Sequence, residues 1–307
     1  MNKNPLTKTP VVCALALLCC LLWGSAFPCI KIGYRLFEIP SDSVSSQILF
    51  AGIRFTLAGV LTILFGSLIR RKPLIPKKSS VPLIIKLSLV QTVLQYVFFY
   101  IGLANASGVK SSIIEASNVF LAILIAALVF RYEKLTWLKI AGCAVGFAGV
   151  VVINLTGEGL DTSMKLSGEG AILLSTVAYA LSSGLIKKYS EYEDPVILSG
   201  YQFFAGGIVM AAGGAAFGGH ITVSGVPALL LLVYLALISS VAYTVWGLLL
   251  KYNPVGRVTV FVFTNSIFGV LLSALLLGER NQAFGLRGIV ALVLVSAGIL
   301  IVNRSEN

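Results

Sequence analysis

The 307-residue sequence is 57% hydrophobic and 11% charged, with a mean hydropathy of +0.95, whereas a soluble globular domain is about 45–50% apolar and about 25% charged. A water-soluble fold is excluded, because it has nowhere to put so much apolar surface. The formal net charge of +11 does not indicate a nucleic-acid partner, since lysine and arginine sit in short loops between apolar runs and form no phosphate-neutralising patch.

The first apolar run, 11–33, exceeds the 7–15-residue core of a cleavable signal and reads as a membrane span. Further runs follow at 45–69, 82–104, 109–130 and 135–153, then at 168–186, 195–217, 226–250, 256–277 and 283–302. Each is long enough for about 30 Å of hydrocarbon, where backbone groups must be satisfied within the segment, so each is expected to be helical. The fold class is therefore an all-α membrane protein of ten transmembrane helices, placed in the cell (plasma or inner) membrane.

Orientation follows from the loop cations. With the N-terminus inside, Lys3, Lys8, Arg70, Arg71, Lys72, Lys77, Lys78, Arg131, Lys134, Lys187, Lys188, Lys251 and Arg304 share one side, against mainly Arg35, Lys110, Lys165 and Arg280 on the other. Both termini are expected in the cytoplasm. The acidic Glu158, Asp161 and Glu169 fall outside.

An internal repeat recurs at an offset of about 150 residues: Ala148-Gly149-Val150-Val151-Val152-Ile153-Asn154 matches Ala297-Gly298-Ile299-Leu300-Ile301-Val302-Asn303. Ala51-Gly52-Ile53-Arg54-Phe55 lines up with Ser199-Gly200-Tyr201-Gln202-Phe203, Asn105 and Gly108 with Asn253 and Gly256, and Glu133-Lys134 with Glu279-Arg280. The two units are 11–153 and 168–303, with five spans each. Five is odd, so the second unit enters the membrane inverted, a geometry that lets transporters interconvert inward-open and outward-open cavities. The cavity is expected between spans one to four and six to nine, with the fifth and tenth peripheral.

Ionisable residues inside a span cost about 2.5–3.5 kcal/mol each at a helix centre. Lys31, Lys86, Lys110, Lys139, Arg257 and Arg287 lie near span ends and can snorkel, whereas Arg54 and Glu115 cannot. At 1.5 Å per residue the two lie roughly 13 and 10 Å deep, so a buried ion pair is expected, either structural or functional. Their repeat-equivalent places hold Gln202 and Phe263, so the pair is not needed to build a five-helix unit. In the functional reading Arg54 receives a substrate carboxylate and Glu115 exchanges a proton.

The remaining candidate substrate-binding residues are Trp23, Gln95, Tyr96, Tyr100, Asn118, Tyr179, Tyr201, Gln202, Tyr243 and Trp246, with Gln91 one turn before Gln95. Such side chains also serve as interfacial anchors; as a set they favour a substrate with an apolar body. An organophosphate or nucleotide-sugar substrate would call for several cations at mid-depth, and only Arg54 qualifies. His220, the single histidine, and the five cysteines (Cys13, Cys19, Cys20, Cys29, Cys143) form neither a nucleophile–base pair nor a metal-ligand spacing. No enzyme activity, cofactor or metal is therefore expected, and the partners are a small molecule, the lipid bilayer and, as coupling ion, protons.

With ten spans in two repeats, Trp23-Gly24-Ser25-Ala26-Phe27 in the first span and Gly278-Glu279-Arg280 after the ninth, the chain resembles the drug/metabolite transporter superfamily. Within it, EamA-type exporters match best, over 11–303. The resemblance implies efflux of a small metabolite, an amino acid or a drug-like compound. It also implies a proline near the middle of the fourth and ninth spans; here those places hold Asn118 and Ser266, which removes the usual cause of a kink there.

Overall fold

The computed structural model describes residues 5–131, 135–153, 155–156, 159–160, 165–253, 258 and 260–304. Lys3, Glu133, Lys134, Asn154, Glu158, Asp161, Gly256 and Arg257 lie outside the described residues. Among the described residues, helices lie in each of the ten apolar runs. α1 (Thr9–Leu36) begins with Pro10, whose missing N–H costs nothing in a first turn, and runs on through Pro28. α2 (Val44–Arg70) stops where Arg71 turns left-handed at φ 51°.

α3 combines Val81–Leu87, a π-helical stretch Ser88–Leu94, and Gln95–Asn105. α4 comprises Gly108–Glu115 and Asn118–Leu128, its start capped by the Ser107 side chain accepting from Lys110 N. α5 (Trp137–Ile153) is followed by a two-residue strand pair, Leu155–Thr156 with Gly159–Leu160. α6 runs through π-helical Leu166–Gly170 into Ala171–Tyr189. α7 (Pro195–Ala216) is capped by Asp194, and α8 spans Val226–Tyr252. α9 is the 3-10 turn Val260–Val262 followed by Phe263–Leu276, and α10 is Leu286–Arg304, reached through the short helix Arg280–Phe284.

Seven of these helices are long and apolar enough to cross a membrane, and three shorter apolar ones are Trp137–Ile153, Thr264–Leu276 and Leu286–Ile301. The distribution of side chains is inverted relative to a protein in water. Leu68, Leu230, Leu275 and Val293 are exposed on the outside, while Gln47, Arg54, Gln91, Gln95 and Gln202 are all buried to 3% exposure or less. Lipid is the solvent that this arrangement suits, because it gives no reward for hiding leucine and a large penalty for exposing an amide. The protein is a multi-pass membrane protein.

Packing follows a single pattern. α2 lies along α7 and α5 along α10; α1 packs on α8 and α9 as α6 packs on α3 and α4; and α8 meets α2 as α3 meets α7. α5 and α10 otherwise touch chiefly α4 and α9, which leaves them at the edge of the bundle. The α2–α7 crossing is made backbone to backbone by glycines spaced seven apart, Gly52 and Gly59 on one helix and Gly207 and Gly214 on the other. A Cβ on Gly52 would overlap the Ala211 backbone, one on Gly59 that of Phe204, and one on Gly207 that of Thr56. Only small residues permit so close an approach, where dispersion replaces the hydrophobic effect as the source of helix association.

Substituting alanine at Gly59 or Gly207 is therefore expected to lower stability by about 1–3 kcal/mol, read as thermal unfolding of the purified protein in detergent. Gly213→Ala is the control, since a Cβ there would meet nothing within 4 Å. Equal behaviour of all three variants would show that the crossing has room to spare.

Candidate functional site

The centre of the bundle is organised by Arg54 on α2, which is 3% exposed. Its Nε donates to Leu235 O at 3.1 Å, Nη1 to Tyr100 Oη at 2.7 Å and Nη2 to Ser239 Oγ at 3.0 Å. The guanidinium also lies 4.8 Å from the Phe55 ring centroid. Every one of these partners is neutral.

The expected ion pair with Glu115 is not formed. Glu115, 9% exposed, accepts instead from Ser175 Oγ of α6 at 3.4 Å and from the Asn118 side chain one turn on. The reason lies in the packing: α2 lies against α7 and α8, whereas α4 lies against α6 and α9. Depth along a helix placed the two charges at similar heights and said nothing about which neighbour each would face.

Aromatic rings fill the space beside Arg54. Tyr96 packs on Phe55 at 4.1 Å between centroids, Phe55 stacks on Phe203 at 5.4 Å, and Phe203 meets Tyr243 edge-on at 5.0 Å. Trp23 contacts Tyr243 at 5.5 Å and Trp246 at 5.2 Å, and the Tyr96 and Tyr243 hydroxyls approach to 3.4 Å. Tyr179 lies one turn beyond Ser175 on α6.

The structure thus brings Arg54, Trp23, Tyr96, Tyr100, Tyr243 and Trp246 into one cluster, and places Glu115 and Asn118 of α4 against α6, the helix that carries Tyr179. Gln202 bonds Gln91 across α7 and α3. Gln95 Oε1 and Trp23 Nε1 are buried without a hydrogen-bond partner. Tyr201 stands apart: its hydroxyl donates to Leu74 O at 2.9 Å and its ring packs by Leu74 and Val196, so it fastens α7 to the α2–α3 connection.

Sequence reading missed Phe55, Phe203, Ser175 and Ser239. For the first two a signal was present, since Phe55 and Phe203 occupy the same place in the two aligned segments. Nothing local distinguishes the two serines from other helical serines.

At both ends, charged side chains join the residues of 11–153 to those of 168–303. Arg70 holds Asp194 with two bonds of 2.8 and 2.9 Å, and Glu193 accepts from Lys77 N at 2.9 Å, above a cavity of about 520 Å³ lined by Arg70, Lys72, Lys77 and Tyr192. At the opposite end Glu279 accepts from Gly108 N and Val109 N at 3.1 and 2.8 Å, and Lys110 pairs with Glu169 at 3.2 Å. Lys31, expected to snorkel, instead caps the end of α3 through Leu103 O and Ala106 O.

Comparison with known proteins resolves what builds this arrangement. The model of the EamA-like transporter family matches residues 11–155 and again 166–304. The chain belongs to the EamA-like transporter family. Among its relatives are a probable amino-acid metabolite efflux pump of Escherichia coli, 26% identical over 94% of this chain and 93% of that protein, and a probable terminal-alkyne amino-acid exporter of Streptantibioticus cattleyicolor, 27% identical over 92% and 90%. A solved crystal structure at 18% identity superposes with a TM-score of 0.64 over 95% of this chain and 99% of its own, which shows a shared fold.

In this EamA-like protein the fourth helix is interrupted without the proline. Ser117 N bonds Ile114 O at 2.9 Å, a tightened turn, and the helix resumes at Asn118. The interruption falls between Glu115 and Asn118, so it shapes the surroundings of the carboxylate. Glu279 of the Gly-Glu-Arg segment has a role too: it satisfies the otherwise unbonded N–H groups that open α4.

The Arg70–Asp194 contact has a defined pH signature. Burial alone would raise the Asp194 carboxyl, but the Arg70 guanidinium and the Val196 N–H outweigh it and hold the group below its ordinary value. A depressed carboxyl stabilises the fold above its unfolded value of about 3.9 and loses that contribution as pH falls through the lower folded value. The pair is partly exposed, so Arg70→Gln should cost about 0.5–1 kcal/mol at pH 7. In thermal unfolding from pH 7 downward, the difference from wild type should hold to about pH 4 and then shrink. A difference that disappears near neutrality would contradict this.

Proposed function

We propose that the chain exports a small carboxylate-bearing metabolite, an amino acid in the first instance, by alternating access of two inverted five-helix repeats, 11–153 and 168–303, with all ten helices crossing the membrane and both termini in the cytoplasm. The observation that carries the substrate class is Arg54. A permanently charged group buried to 3% exposure with only neutral oxygens around it is a binding site for an anion, because a charge in a low-dielectric interior gains most from an opposite charge. The rings of Trp23, Tyr96, Phe55, Phe203, Tyr243 and Trp246 beside it provide an apolar wall for the rest of the molecule.

One guanidinium suits one carboxylate and is too little for a doubly charged organophosphate. The relatives named for amino-acid metabolites and amino acids support the same class. Two features favour the inverted repeat: the family model matches once in each half, and helix pairing is preserved when every helix is exchanged with the one five places on. Movement of one half against the other would then open the centre to either side.

Two experiments test the reading. Cells expressing Arg54→Gln, which places in the first repeat the residue found at position 202, should export the amino-acid class at least about tenfold more slowly than wild type at equal membrane level, as expected for loss of one charge-assisted contact; normal export would remove Arg54 from the site. For orientation, Lys77→Cys should resist a membrane-impermeant thiol reagent added to intact cells, and should react once the membrane is opened. Labelling from outside would reverse the topology.

A further inference from the structure

We propose that the end of the molecule carrying Arg70 holds the headgroup of an anionic phospholipid, with Lys72 and Lys77 on its phosphate and the exposed face of α2 along its acyl chains. Arg70 is sixteen residues along α2 from Arg54, about 24 Å at 1.5 Å per residue. The place is therefore separate from the central cluster, and the proposal does not depend on what is transported. The connection 70–78 carries Arg70, Arg71, Lys72, Lys77 and Lys78 and no acidic residue. It faces the 190–194 turn of the second unit across the cavity of about 520 Å³, a volume within the roughly 300–1,000 Å³ of small-ligand sites.

Cations in a short loop by themselves do no more than orient a membrane protein, so the hydrogen bonds decide what these can bind. The acids on the opposite wall are Glu191, Glu193 and Asp194. Asp194 is taken up by the two Arg70 bonds, and Glu193 by the N–H groups of Lys77 and Asp194 at 2.9 and 3.0 Å, which leaves Glu191 on the exposed rim. Lys77 Nζ donates to a neutral group, Tyr192 O, at 2.8 Å. Arg71, Lys72 and Lys78 are exposed, and among the described residues they form no ion pair. Five cations against three acids leave an excess of two positive charges around the cavity.

The rest of the surroundings is apolar and open. Leu64 and Leu68 share one face of α2; Leu68 is 71% exposed, the adjoining Ile69 69%, and Ile75 in the cavity wall 70%. Tyr192, also in the wall, is exposed and is of the amphipathic type that settles at headgroup level. A phosphate joined to two acyl chains uses both the lysines and this apolar face, whereas a soluble anion uses the lysines alone. Because the walls come from both units, one headgroup would touch both and brace their junction.

The test is thermal unfolding of the purified full-length protein in detergent, titrated with phosphatidylglycerol, with phosphatidylcholine of the same acyl chains, and with inorganic phosphate. Phosphatidylglycerol should raise the unfolding temperature saturably and the other two should not. Lys72→Gln and Lys77→Gln should each weaken its binding about fivefold, the equivalent of about 1 kcal/mol for a cation at an anionic surface. Lys86→Gln removes an exposed cation of α3 that does not line the cavity, and should change the affinity less than about twofold. Equal shifts from the two lipids would overturn the proposal, as would an equal shift from inorganic phosphate, the behaviour of a site for a free anion. Equal weakening by Lys72→Gln and Lys86→Gln would show a diffuse attraction to the basic surface and no defined site. The wild-type lipid series decides between the two lipids even where a variant fails to fold.

Discussion

A guanidinium cannot shed its charge, and in the middle of a helical membrane protein it must be fully hydrogen-bonded or exposed to water. Arg54 places three of its five N–H donors on one backbone carbonyl, one serine and one tyrosine hydroxyl, and the choice fixes three helices. Leu235 and Ser239 are one turn apart on the same face of α8, Tyr100 is on α3, and Arg54 itself is on α2. The three elements are held at one height by a residue that none of them can release without leaving a charge unsatisfied. Around it the aromatic rings supply a surface that tolerates a cation, because the faces of Phe55 and Tyr100 carry partial negative charge.

The close approach of α2 and α7 makes this centre possible. Glycines at matching places remove the side chains that would hold the helices apart, and one consequence is that Phe55 and Phe203, equivalent in the two aligned segments, stack on each other at 5.4 Å. Next to each phenylalanine stands the residue that differs, Arg54 in one helix and Gln202 in the other. Glutamine finds a neutral partner in Gln91; arginine does not find a carboxylate. The packing shell of the two units is thus alike while their polar centres are not. In a transporter that difference is the expected place for substrate recognition, since helix packing has already been taken care of by residues common to both halves.

Charged contacts at the two ends differ in strength for a physical reason. Arg70 and Asp194 are about one quarter exposed, so water and salt screen their attraction and a worth of about 0.2–1 kcal/mol is typical. Glu279 sits at the start of α4, where aligned peptide dipoles and two unbonded N–H groups favour an anion. The same Glu279 contact orients the segment of α4 that ends in Glu115, linking one end of the molecule to its centre.

Hydropathy and the repeat made most of the architecture legible in advance. Among the described residues seven of the apolar runs became helices long enough to cross a membrane and three became shorter apolar helices; in hydrocarbon a segment has few other ways to satisfy its backbone, and that requirement is local to each run. The candidate site was legible as a list of side chains too polar or too large for plain packing, and most of them converge: Trp23, Tyr96, Tyr100, Tyr243 and Trp246 gather beside Arg54. Tyr201 does not, and the pairing of Arg54 with Glu115 does not occur, because both questions turn on the azimuth of a helix and the identity of its neighbour. In a chain this apolar all round, periodicity does not reveal which face of a helix looks inward. The sequence by itself therefore determined the medium, the helices and the chemical inventory, each of which depends on composition along one segment. Only the tertiary structure decided which groups meet, through glycine contacts between segments about 150 residues apart, and with them that the two buried charges remain apart.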